Sequence, residues 1–296
     1  MKNSYSIECR SYPLANQTTD KAFQIAALEL GNLQGQVILC LHGWLDNATS
    51  FMPLLESLQG QRSPLLDDYR FIAIDWPGHG LSSHRSNDAH YYFTDWVNDL
   101  YLLLESQHWQ QVTIIGHSMG AMVANLFTSA FNERVKSLFL IEGIGLLPLS
   151  QHPAKQLRDG IISRTKIRKK SRHQSLESAI EARMLVSDLD FEQAKILCQR
   201  SMKKIDLDYQ WVSDPRVRDI SVFRYTSTEI REIITQINCP VTLFFGDQGF
   251  ESVKTGIATW QSDFQNLESV QLCGGHHVHM EDVETLVQQL TNRLPN

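Results

Sequence analysis

The sequence predicts an α/β protein: a doubly wound, mostly parallel sheet with one helical insertion. Three observations lead there. Short apolar runs recur, and each closes on a glycine-containing turn. Patterns with apolar residues at helical spacing lie between them. The alternation breaks once, between roughly 147 and 237, where the chain turns polar and helix-prone.

The apolar runs are QVILCLHG (36–43), RFIAIDWPG (70–78), QVTIIGHS (111–118), VKSLFLIEG (135–143), PVTLFFGDQG (240–249) and LESVQLCGG (267–275). Runs apolar on both faces suit strands covered by helices on each side. Residues 91–107 and 281–294 carry period-3.6 apolar positions, and the second opens on acidic residues, as a helix N-terminus prefers. Alternating strands and helices imply a parallel sheet. A loop of the length of 147–237 is foreign to a compact domain. The expected organisation is a core of 1–146 and 238–296 with a helical lid over 147–237.

Composition narrows the class. Of 296 residues, 42% are hydrophobic and 20% charged, enough for a packed core. A net charge of −6 lacks the basic excess of a nucleic-acid binder. The five cysteines are scattered and form no CxxC pair, which suits reduced thiols. The first thirty residues lack a signal-peptide pattern. No stretch approaches the ~18 apolar residues of a membrane span. The expected setting is cytoplasmic, with no integral membrane segment.

Residues 116–120 read GHSMG. An apolar run precedes them and the helical pattern AMVANLFTSAF follows. Strand, sharp turn and helix around G-x-S-x-G is a nucleophile elbow. Ser118 would stand exposed at the top of the sheet. A side chain at Gly116 or Gly120 would collide with the turn or the next strand. Ala121 and Ala124 keep the helix close. The opposing reading, a glycine-rich turn with an idle serine, fits these flanks poorly.

With LHGWLDNATSF (41–51), IDWPGHGLSSH (74–84), GHSMG (116–120) and GGHHVHMED (274–282), the sequence resembles the α/β-hydrolase superfamily. Within it, the sequence is similar to the serine hydrolase-like proteins. The similarity spans nearly the whole chain and is weakest in the lid. It implies a catalytic serine, Ser118, and a general base after the last strand. The family's Gly-His followed by an acidic helix start selects His276. His277 and His279 then fall on the adjoining loop as solvated residues. A metal set of His276, His277, His279 and Glu281 is the rival reading, but nothing elsewhere supplies spaced partners. No metal and no cofactor are expected.

The resemblance also implies an oxyanion hole built from the N–H groups of Met119 and Trp44. Gly43 would permit close approach, His42 would buttress the loop, and the Trp44 ring would line an acyl pocket. Asp46 and Asn47 are expected to hold that loop by hydrogen bonds. The acid stays open between two residues. Relatives carry Asp three places after the glycine ending the penultimate strand, but here that place is Gly249. Asp247 comes two residues early, while Glu142 ends the preceding strand and is long enough to reach His276. The residue not chosen would cap a turn. Asp75 and His79 are read as a structural turn, and Trp211 with Asp214 and Pro215 as lid anchors. The basic run 164–174 is read as a solvated helix face, and Cys273 as core packing within a strand.

The expected chemistry is acyl transfer from a small-molecule ester to water. Thioester or carbon–carbon bond hydrolysis would use the same groups. A hydrolase-fold ligand-binding protein with weak turnover is the alternative from another class.

Overall fold

The structure is a computed structural model that describes residues 5–14 and 23–294. The chain opens with strands β1 (Glu8–Pro13), β2 (Gln24–Gly31) and β3 (Gln36–Leu41). Helices α1 (Met52–Gly60) and α2 (Leu65–Asp68) lead to β4 (Tyr69–Ile74). Then come α3 (Phe93–Ser106), β5 (Val112–His117), α4 (Met119–Ala130) and β6 (Val135–Ile141). The segment that follows carries α5 (Pro153–Arg164), β7 (Arg172–His173), α6 (Leu176–Met184), α7 (Phe191–Ser201), β8 (Met202–Ile205), β9 (Asp208–Trp211) and α8 (Ser227–Thr235). The chain ends with β10 (Val241–Gly246), α9 (Glu251–Trp260), β11 (Leu267–Leu272), α10 (Val278–Glu281) and α11 (Val283–Arg293).

Eight strands form one sheet in the order β1-β2-β4-β3-β5-β6-β10-β11. From β4 to β11 all pairs are parallel, while β1–β2 and β2–β4 are antiparallel. The two antiparallel strands lack the following helix that marks the other six in the sequence. Alternation explains the continuous apolar runs. Val37, Leu39 and Leu41 of β3 enter the core under α3 and α4, and Ile38 and Cys40 enter the core under α1 and α11. Edge strand β11 is largely exposed. Cys273, just beyond it, is therefore exposed and not core packing. All five cysteines are free. Among the described residues, no helix is long and apolar enough to cross a membrane.

The segment between β6 and β10 holds helices and also a small antiparallel sheet, β7-β9-β8. These strands are two to four residues long, too short for a periodic signal. Its helices start on real caps: Ser175 accepts from Ser178 N, Asp190 from Gln193 N and Thr226 from Glu229 N. Helix α8 sends Ile230 and Ile234 into the main core beside α4. The basic run is not a helix face, because α5 stops at Arg164. Three of its charges have partners: Arg164 lies 4.5 Å over the Tyr92 ring, Arg168 pairs with Asp219 at 2.9 Å, and Lys170 donates to Val212 O at 2.8 Å, while Lys166 and Lys169 are exposed.

Polar contacts bolt this segment to the sheet's C-terminal edge. Arg200 of α7 meets buried Asp75 at 2.9 Å. Asp75 also accepts from Ala48 N and Leu81 N, each at 2.7 Å. Asn47 donates to Leu197 O at 2.9 Å and to Ser201 Oγ at 2.7 Å. Asp214 N donates to Gly78 O at 2.8 Å, and Tyr91 OH donates to its carboxylate at 3.1 Å. Trp211 instead staples the segment to itself through His173, at 3.1 Å. Removing one partner of a buried pair strands the other charge. Arg200→Met should therefore cost about 3 kcal/mol in chemical denaturation, with Asp75 left without its cation.

Candidate active site

The turn from β5 into α4 places Ser118 at φ 51°, a left-handed value that a side chain rarely adopts. Neighbouring glycines make room for it. A Cβ on Gly120 would stand 2.1 Å from Leu41 O, and one on Gly116 would stand 2.8 Å from the Ala121 backbone. Met119 is the first residue of α4, so its N–H lies outside the intrahelical ladder.

Three segments meet at the Ser118 hydroxyl. His276 follows β11, and its Nε2 accepts from Ser118 Oγ at 2.9 Å. Its Nδ1 donates to Glu142 Oε2 at 3.0 Å, because a carboxylate can only accept. Glu142 stands one residue past β6 at φ 48° and is 1% exposed. Gly246 N at 2.8 Å and Phe250 N at 3.3 Å donate to the same carboxylate. The Phe250 ring stacks on the imidazole of His276, centroids 4.0 Å apart and planes within 5°. Of the two carboxylates left open by the sequence, Glu142 is the one at His276. Asp247 is exposed and accepts from Gly274 N at 2.9 Å, which ties the loop after β10 to the loop after β11 and does not cap its own turn. The place of Gly249 explains the choice: a Cβ there would lie 2.2 Å from Glu142 Oε1. The glutamate fills the space that an acid at 249 would need.

The loop after β3 packs beside the elbow: a Cβ on Gly43 would stand 2.9 Å from His117 Nδ1, and one on Gly120 would stand 2.9 Å from His42 O. Trp44 N–H has no acceptor among the described residues. Leu45, next to it, sits at φ 66°. His42 braces the loop: Nδ1 donates to Gly43 O at 2.7 Å and Nε2 accepts from Trp76 N at 3.0 Å. Burial holds His42 neutral, its pKa lowered to about 4. The Trp44 ring is half exposed and donates to Val217 O at 3.0 Å. His79 is buried between His42 and Trp96, a packing role.

His277 and His279 are not solvated. They are 4% and 0% exposed, because α10 folds them under the sheet edge beside His117. His277 lies between two carboxylates, with Nδ1 2.7 Å from Asp188 Oδ1 and Nε2 3.3 Å from Asp46 Oδ2. Burial opposes its charge, yet Asp46 and Asp188 raise its pKa to about 9. His276, His279 and His117 also face it, and Arg183 reaches it through Asp46. Burial likewise opposes the charge on Asp46, but His277 and Arg183 hold its carboxyl well below the usual range. Burial keeps His279 neutral, its pKa lowered to about 3. His117 Nε2 donates to His276 O at 2.8 Å, so Nδ1 carries its lone pair.

Asp46, His117 and His277 bring ligand-type atoms within 4.8 Å of one another. Asp46 already holds Arg183 at 2.6 Å on its other oxygen, and His277 supplies a second cation. That charge balance does not fit an added divalent ion. The rival metal set from the sequence is not assembled either. His276 faces Ser118 and Glu142, and Glu281 accepts from Gly275 N at 2.9 Å.

The sheet order, the serine elbow and the histidine loop together define an alpha/beta hydrolase fold, and the family model of that description matches residues 36–283. The chain belongs to the α/β-hydrolase superfamily. It is 32% identical over 289 residues to a serine hydrolase-like protein of Danio rerio, covering 89% of this chain and 85% of that one. A serine hydrolase-like protein of Dictyostelium discoideum is 29% identical over 272 residues, covering 86% and 74%. A crystal structure of a hypothetical protein from Pseudomonas aeruginosa PAO1 superposes with a TM-score of 0.81 at 30% identity, over 97% and 96% of the two chains. Fold and relatives together support a hydrolase.

Sequence reasoning passed over His117, Arg183, Asp188, Arg200 and Phe250. His117 was visible as the variable residue of GHSMG. Asp188 stands two residues before the helix cap Asp190 and carried no signal of its own. The charge on His277 gives a pH prediction. Its folded pKa lies above the unfolded value, so its stabilisation is complete below pH ~6.5 and is lost as pH rises through about 9. The stability gap between the native chain and His277→Gln should shrink by about 3 kcal/mol over that window. Urea denaturation at pH 6 and pH 10 measures it, and an unchanged gap would contradict a charged His277.

Proposed function

We propose that the chain is a serine hydrolase that cleaves a carboxylic ester through an acyl-enzyme on Ser118. One observation carries the reading: the hydrogen-bonded path Glu142–His276–Ser118, with the serine held in a strained elbow. Ser118 Oγ attacks the ester carbonyl while His276 Nε2 takes its proton. The N–H groups of Trp44 and Met119 receive the oxyanion. Collapse expels the alcohol, which takes the proton from His276. Water then attacks the acyl group, His276 again accepting and returning a proton, and the acid leaves. Glu142 holds the imidazole in its tautomer and balances the imidazolium as it forms. The segment 147–237 serves as a lid over the acyl site. No step calls for a metal or cofactor, and the free cysteines suit a cytoplasmic setting.

The same groups would open a thioester, and a panel of esters and thioesters separates the two. A ligand-binding protein without turnover is disfavoured by the 3.0 Å contact of Glu142 with His276.

A fluorophosphonate probe with peptide mapping tests the nucleophile. Stoichiometric label on Ser118, lost in Ser118→Ala with the fold intact, is the expected result. An unlabelled, well-folded protein would sink the proposal. Glu142→Gln should lower kcat by ~10³–10⁴-fold, while Asp247→Asn stays near wild type. Gly249→Ala should lower kcat by about 10²-fold by displacing the Glu142 carboxylate. Equal rates for Glu142→Gln and wild type would place the acid elsewhere.

A further inference from the structure

The segment between β6 and β10 does more than cover the sheet edge. Asp188, in the loop between α6 and α7, accepts from His276 N at 2.5 Å and from His277 Nδ1 at 2.7 Å. Gly275 permits that approach, since a Cβ there would stand 2.5 Å from Asp188 Oδ2. Next door, Leu189 is buried in a small apolar cluster with Ile180, Leu197 and Met280. Met280 comes from α10, on the segment that carries His276. Charge and apolar contact thus tie the base loop to α6 and α7. On its far side His277 meets Asp46, which Arg183 of α6 holds at 2.6 Å. Asp46 sits in the loop that carries the Trp44 N–H.

We propose that Asp188 is a positioning residue, through which the helical segment holds the main chain of His276 and, with His277 as the pin, sets the base loop against the oxyanion loop. The inference rests on the serine hydrolase reading for its catalytic consequence, but not for the contact itself. A histidine that must meet both a serine and a glutamate tolerates little rotation of its backbone. Asp188→Asn removes one of the two anions that steady His277 and leaves a single carbonyl oxygen to serve both the His276 N–H and His277 Nδ1. The Ser118–His276 contact then loosens, while the acyl pocket is untouched.

Two measurements on the full chain test this. The first is phosphonylation of Ser118 by a fluorophosphonate at varied probe concentration. Asp188→Asn should lower kinact by about 10–100-fold with the probe's KI unchanged. The second is amide hydrogen exchange of peptides covering 274–282, which should quicken in Asp188→Asn. His277→Gln, which keeps a neutral hydrogen-bonding group at the pin, is read in the same way should Asp188→Asn fail to fold. The double variant should be less than additive, because both changes cut one link. Wild-type kinact in Asp188→Asn, or unchanged exchange in 274–282, overturns the proposal. Failure of wild type to take the label would instead remove the nucleophile reading, and the exchange measurement would still decide the positioning role.

Discussion

The carboxylate of Glu142 is buried at the end of a parallel strand, and a buried carboxylate must commit its lone pairs to donors. Its donors come from three places: Gly246 at the end of β10, Phe250 at the start of α9, and the imidazole of His276. The left-handed φ of Glu142 turns its side chain toward that meeting point. The absence of a side chain at Gly249 leaves it the volume. Once Glu142 is placed, His276 has one orientation that satisfies Nδ1, and Nε2 then faces Ser118. The strain at Ser118 and Glu142 is held by the sheet, whose strands β5 and β6 pair side by side directly before both residues.

The same logic repeats along the C-terminal edge. Asp46 follows β3, Asp75 follows β4 and Glu142 follows β6, and each is buried. Helical segments flank the edge and supply what these carboxylates need. Arg183 answers Asp46 and Arg200 answers Asp75. The insertion between β6 and β10 is therefore part of the site's electrostatics: without it Asp75 would lose Arg200 and Asp46 would keep only His277.

The sheet, its crossing helices and the elbow were legible because burial on two faces writes continuous apolar runs and because the turn at Ser118 demands glycine at Gly116 and Gly120. His276 was legible from its place after the last strand. The carboxylate at His276 was half legible: side-chain length allowed Glu142, but the overlap of its carboxylate with a Cβ at Gly249 is a three-dimensional fact. The fate of His277 and His279 could not be read locally. A histidine-rich loop looks solvated until α10 tucks it beneath His117 and Asp188 arrives from a segment some ninety residues upstream. Cys273 shows the opposite error. An apolar run looks buried, but among the described residues no strand pairs with the outer side of β11.

Charge in the buried cluster behind His276 is balanced and not absent. Burial keeps His42, His79, His117 and His279 neutral. Only His277 among the histidines of that cluster is raised, and its positive charge stands with Arg183 against Asp46 and Asp188. Two cations against two anions leave no net charge. A neutral quartet gives the loop of His276 strong, directional contacts, and among the described residues Glu142 is the one carboxylate that meets the His276 ring.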